Sequence, residues 1–229
     1  MLSNFDKMFK TLVDLIRNKE MEVLYAISCI YFVTAILVLF ILLSGITAPY
    51  GRYTRGGWGV HVNGKFAWFV QELPSFLVPV TFLIFDKDAP RFNLMPNMFL
   101  FGLFSIHYFQ RACIFPFLIK GGKPTPFVTF MLALIFCFVN GYLQCSYLFY
   151  HGDYGTEWWL RPHIWIGTVI FFVGMTINIH SDHVLRNLRK PGETGYKIPR
   201  DQSVVGLSQA TDGDSLCEKV DHCSLRMGD

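Results

Sequence analysis

An all-α, polytopic bundle of about five transmembrane helices is the architecture this sequence predicts, and three observations predict it. Hydrophobic residues fill 52% of the 229 positions and charged residues only 16%, against about 25% charged in an average soluble domain. Five apolar runs, each long enough to cross a hydrocarbon core of about 30 Å, are separated by loops bearing glycine and charge. Within the runs, polar residues recur at steps of three and four, a helical period rather than the alternation of a strand. The net charge of +3 is spread over the loops and excludes a nucleic-acid-binding patch. Six cysteines make no disulfide framework. Cys29, Cys113, Cys137 and Cys145 sit in apolar runs as small hydrophobes, and the spacing of Cys217 and Cys223 matches no zinc motif. No metal site is expected.

Residues 1–21 interleave Phe5, Met8, Phe9, Leu12 and Ile16 with Asp6, Lys7, Lys10 and Asp14. That pattern reads as an amphipathic helix on the membrane surface or a solvated leader, and not as a secretory signal. The first span covers Glu22–Ser44. The glycine- and aromatic-rich loop after it, reaching Phe66, is longer than a membrane turn requires, and long ordered loops tend to carry function. The second span, Ala67–Phe85, contains Gln71, Glu72 and Pro74, with Trp68 one turn before Glu72. A third, Leu94–Leu118, is interrupted by His107, Tyr108, Gln110 and Arg111. The fourth, Pro126–Tyr150, carries Asn140 and Gln144 one turn apart, and the fifth covers Trp159–His180. Together these make a transmembrane region over 22–199. Residues 200–229 contain no aromatic residue and read as a polar, disordered tail. More lysines and arginines lie on the side of Arg52, Lys65, Lys123 and Arg186 than on the side of Lys10, Arg91 and Arg161. The bias places the C-terminal tail in the cytosol.

The polar stretch at 177–199 is the most informative. Asn178, Asp182, Arg186 and Arg189 follow at steps of four, four and three, so one helical face carries an amide, a carboxylate and two guanidinium groups. A basic exit segment that only fixes topology is the competing reading, but it leaves an amide and a carboxylate at membrane depth unexplained. Glu72 has the same force: a carboxyl in a span is neutral, paired or turned to a cavity. It serves either a ligand or helix packing. A neighbouring phenol such as Tyr108 can donate to a substrate carbonyl and stabilise enolate charge. Arg111, Lys120, Lys123, Arg186, Arg189 and Lys190 suit the phosphates of a nucleotide or anionic lipid headgroups. No GxGxxG follows a strand, so a Rossmann domain is not indicated. His180 and His183 alone make a weak metal motif.

These residues together resemble the steroid 5α-reductase family, and more closely its type 1 members. AWFVQELPSF at 67–76, HYFQR at 107–111, GGKPTP at 121–126 and NIHSDHVLRNLRKPGETGYKIP at 178–199 look like that family's signature segments, in order, over roughly residues 25–199. The resemblance implies a seven-helix membrane fold of the endoplasmic reticulum and NADPH-dependent reduction of the Δ4 double bond of a 3-oxosteroid. It assigns Glu72 and Tyr108 to the steroid's 3-keto oxygen, and Trp68 and Gln71 to the steroid pocket. Asn178 and Asp182 take the cofactor, with Arg111, Lys123, Arg186 and Arg189 as phosphate or ribose neighbours.

After Pro199 the family pattern continues into a Gly-Gly-Leu-Phe run and two further spans, and this sequence does not. Residues 200–229 therefore look like an alternative ending. Two outcomes follow for such a chain. It is a reductase with five spans, or it is a catalytically inactive variant that associates with a full-length reductase or is degraded.

Overall fold

The computed structural model describes residues 19–121, 123–155 and 157–188. The expected amphipathic N-terminal helix, Arg189, Lys190 and the polar tail lie outside the described residues. The chain divides into two compact units, Met1–Trp159 and Leu160–Asp229. Among the described residues, five helices are long and apolar enough to cross a membrane: α1 (Glu20–Leu43), α2 (Gly64–Phe85), α3 (Met95–Leu118), α4 (Phe127–His151) and α5 (Pro162–Asn187). The first four belong to the first unit and α5 to the second. The all-α multi-pass expectation stands, with two-residue strands as the only extended pairing described.

Helix ends differ from the apolar runs because backbone hydrogen bonding, not polarity, decides where a helix stops. α5 continues past the end of the apolar span at His180, through Ser181, Asp182 and Arg186 to Asn187, as the helical steps of Asn178, Asp182 and Arg186 imply. It also begins later than Trp159. Trp158–Leu160 form a 3-10 turn, and Pro162 opens the helix, where its missing N–H costs nothing. α2 begins earlier than Ala67 because Asn63 caps it, its side-chain oxygen accepting from the Lys65 and Phe66 N–H groups.

Two helices contain π segments. α3 is α-helical over Met95–Tyr108 and π over Phe109–Ile114; α4 is α over Phe127–Ser146 and π over Tyr147–His151. Such widened turns concentrate at functional sites. The first unit is centred on the pairing of α2 with α4, onto which the π segment of α3 packs. Gly141 permits the close approach. A Cβ there would lie 3.2 Å from Val78 Cβ and 3.3 Å from the Pro74 carbonyl oxygen.

The two ends of this unit are tied differently. At one end, β1 (His61–Val62) and β2 (Thr125–Pro126) pair antiparallel, His61 opposite Pro126. The Phe127 and Val128 N–H groups donate to the Val60 and Trp58 carbonyls at 2.8 and 3.1 Å. The long loop after α1 is thereby fastened to the start of α4. At the other end, Ala89, Phe92, Cys145, Leu148 and Phe149 form an apolar cluster, with Phe92 stacked on Phe149 at 4.1 Å. Buried Asn97 donates there to the Leu148 and Gly152 carbonyls at 2.6 and 3.0 Å. Those carbonyls are freed as the π segment of α4 ends. Both ends hold the middle of α2, α3 and α4 in fixed register.

Candidate active site

On α2, Trp68, Gln71, Glu72 and Ser75 fall at steps of three, one and three, which place them along one side of the helix. Gln71 and Ser75 are buried, and Glu72 is half-buried. α4 presents Cys137 and Asn140 to this side, on either side of the turn that leads to Gly141. The Ser75 hydroxyl donates to the Cys137 carbonyl at 2.8 Å, and the Cys137 thiol approaches Glu72 Oε2 at 3.8 Å.

α3 supplies the phenol. Tyr108 ends its α-helical part, and Asn140 Nδ2 donates to the Tyr108 oxygen at 3.0 Å. Ser75 is a second hydrogen-bonding neighbour of that phenol, and Glu72 lies close enough to act on it electrostatically. A carboxyl and a phenol from separate helices thus meet at one depth, joined by Ser75, Cys137 and Asn140. The π turn directly after Tyr108 swings Arg111 back to the same region. Its guanidinium lies 4.8 Å from the Trp68 ring centre and 4.5 Å from that of Phe115, and it acts on Glu72 electrostatically. The Trp68 indole N–H is buried without an acceptor, an orphan donor at the mouth of this cluster. The His107 ring meets the Tyr108 ring edge-on at 5.1 Å.

The structure brings together Trp68, Gln71, Glu72, Tyr108 and Arg111. It leaves Lys123 exposed on the loop before β2. Asn178, Asp182 and Arg186 lie on α5 at the expected four-residue steps. Arg186 Nη2 stands 3.5 Å from His183 Nδ1. Ser75 and Cys137 were not expected in the cluster. Their only signal was position: Ser75 lies one turn beyond Gln71 on the Glu72 side, and Cys137 three residues before Asn140. A serine and a cysteine inside apolar runs read as filler until a partner helix is placed.

A sequence model of the family described as 3-oxo-5-alpha-steroid 4-dehydrogenase matches residues 123–209. A 3-oxo-5-alpha-steroid 4-dehydrogenase 1 from Bos taurus is 50% identical over 165 residues, 72% of this chain and 64% of that protein. The protein of the same name from Rattus norvegicus is 51% identical over 158 residues, 69% of this chain and 61% of the relative. Over the matched region, the chain is similar to proteins of this family. A 3-oxo-5-alpha-steroid 4-dehydrogenase 2 from Rattus norvegicus is 46% identical over 164 residues. The matches to the type 1 proteins thus run higher than this one, in the direction the signature segments implied. The chain spans somewhat under two thirds of the length of these relatives.

Proposed function

We propose that this chain is an NADPH-dependent 3-oxosteroid Δ4-reductase of the endoplasmic reticulum membrane, its C-terminal side facing the cytosol. The observation that carries the reading is the meeting of Glu72 and Tyr108, from α2 and α3, beside the orphan indole N–H of Trp68. It is supported by the relatives, which are 3-oxo-5-alpha-steroid 4-dehydrogenases.

The chemistry follows from two donors on one oxygen. Tyr108 and the carboxylic acid form of Glu72 donate hydrogen bonds to the steroid's 3-oxygen. This withdraws electrons through the conjugated double bond and makes C5 electrophilic. As C5 is reduced, negative charge collects on the same oxygen, where the two donors hold it as an enolate. A proton taken up from water at C4 then completes the saturated ketone. Trp68 and Gln71 border the ring system, and the rings of Trp68 and Phe115 with Arg111 against them form an apolar wall with a charged edge. Away from bulk water these hydrogen bonds gain strength.

The donor set also fits a dinucleotide. An amide, a carboxylate and a guanidinium on one face of α5 match a carboxamide, ribose hydroxyls and phosphate in turn. Asn178, Asp182 and Arg186 would hold the cofactor. When bound, the nicotinamide supplies the hydride.

The test is conversion of a radiolabelled Δ4-3-oxosteroid with NADPH by microsomes expressing this chain, with protein level measured by blot. The expected result is 5α-reduced product above an empty-vector control. Good expression with no product overturns the reading. Capture of steroid without product or nicotinamide binding then favours a sterol-binding membrane protein.

A further inference from the structure

Asn140 has no part in the reading above, yet it contacts the oxygen on which that reading depends. Its Nδ2 donates to the Tyr108 phenol at 3.0 Å. The second neighbour of that phenol, Ser75, has already given its proton to the Cys137 carbonyl at 2.8 Å. Towards Tyr108, Ser75 can therefore only accept. One donor and one acceptor then fix the polarity of the phenol. Its oxygen receives from Asn140, so its own proton is directed away from Asn140.

The geometry points to Asn140 as a positioning residue: it keeps the Tyr108 proton turned outward, for donation to a substrate carbonyl. This inference rests on the carbonyl role proposed for Tyr108. A hydrogen bond received at the phenol oxygen also stabilises charge there, which strengthens the O–H as a donor when an enolate develops. The backbone makes the arrangement rigid. Gly141, next in sequence, is pressed against Pro74 and Val78, and the Ser75 bond to Cys137 locks the same turn from the other side. Asn140 has little freedom to turn from the phenol.

Two substitutions separate polarity from packing. Asn140→Asp keeps the shape and replaces the donor by an acceptor, which draws the Tyr108 proton inward; Asn140→Ala removes the contact. Each is made in the full chain, purified in detergent, alone and in combination with Tyr108→Phe. The first readout needs no cofactor: the infrared stretch of a Δ4-3-oxosteroid labelled with carbon-13 at C3. The expected result is a bound stretch at lower frequency than in solvent, a shift reduced by either Asn140 variant and reduced further by Tyr108→Phe. With NADPH, kcat falls about tenfold with KM within about twofold, the size of one lost hydrogen bond. Added to Tyr108→Phe, neither variant costs anything more, because two members of one unit do not add. Unchanged stretch and turnover in both variants, or full additivity with Tyr108→Phe, overturns the inference. A parent chain whose bound steroid shows no lowered stretch instead overturns the carbonyl role of Tyr108, and this inference with it.

Discussion

Two carboxyls meet α4 in opposite ways. Glu20, the first residue of α1, accepts from the Tyr142 hydroxyl at 3.1 Å and from the Ser146 hydroxyl. His151 Nε2 lies 3.4 Å from its other oxygen. Glu72, at mid-span, has a thiol at 3.8 Å, with Gln71 and Arg111 as further neighbours. Hydroxyls are full donors, and a thiol is a weak one. Glu20 takes two full donors on one oxygen and holds α1 to α4. Glu72 keeps capacity for a ligand. Both groups are carboxyls in an apolar bundle, and what separates structure from chemistry is how completely neighbouring side chains satisfy them.

Replacing each carboxyl by its amide breaks the comparison most directly. Glu72→Gln is expected to lower steroid reduction by about tenfold or more, because an amide N–H is a weaker donor to an oxyanion than a carboxylic acid O–H, with protein level unchanged. Glu20→Gln is expected to do the reverse. Its amide nitrogen faces donors, so the chain loses about 1–3 kcal/mol of stability, read as a lower melting temperature in detergent, while kcat of the folded fraction stays within about twofold. A Glu20→Gln chain that melts like the parent but has lost its turnover removes the distinction.

The fold and part of the site were legible in the sequence for a physical reason. Apolar runs separated by charged loops have one solution in lipid, and Trp68, Glu72, Asn178 and Asp182 repeat at the helical period. What stayed hidden depends on neighbours or on departures from that period. Tyr142, Ser146 and His151 follow at steps of four and five, and a five-residue step does not keep to one side of an α-helix. The π segment Tyr147–His151 absorbs the extra residue and brings His151 round to Ser146 and Glu20. Phe109–Ile114 does the same for Arg111. Asn97 stands among apolar residues with no periodic partner, and its role appears only once Leu148 and Gly152 are beside it.

A smaller effect is expected at Gly141, which sets the spacing that brings Cys137 and Asn140 to Glu72 and Tyr108. Gly141→Ala puts a methyl 3.2 Å from Val78 Cβ and 3.3 Å from a backbone oxygen, so one helix must give by a few tenths of an ångström. Overpacking of this kind costs about 1–3 kcal/mol. Because the shift opens the Asn140–Tyr108 contact, kcat should fall several-fold more than the loss of folded protein explains. A melt and a rate that fall in proportion would show that the spacing serves stability alone.

The smallest effect sharpens the comparison from the side of Glu72. Arg111 lies over Trp68 and Phe115 at 4.8 and 4.5 Å and shares the electrostatic environment of the carboxyl. Arg111→Lys keeps the charge but gives up the planar group that stacks on both rings. The stacking is worth about 0.5–1 kcal/mol at partly exposed sites, so stability should drop by no more than that. The wall beside Trp68 loosens, and steroid binding weakens by about twofold to fivefold on the same energy scale, measured by equilibrium binding of labelled steroid. Arg111→Lys with unchanged affinity would place the guanidinium outside the steroid wall.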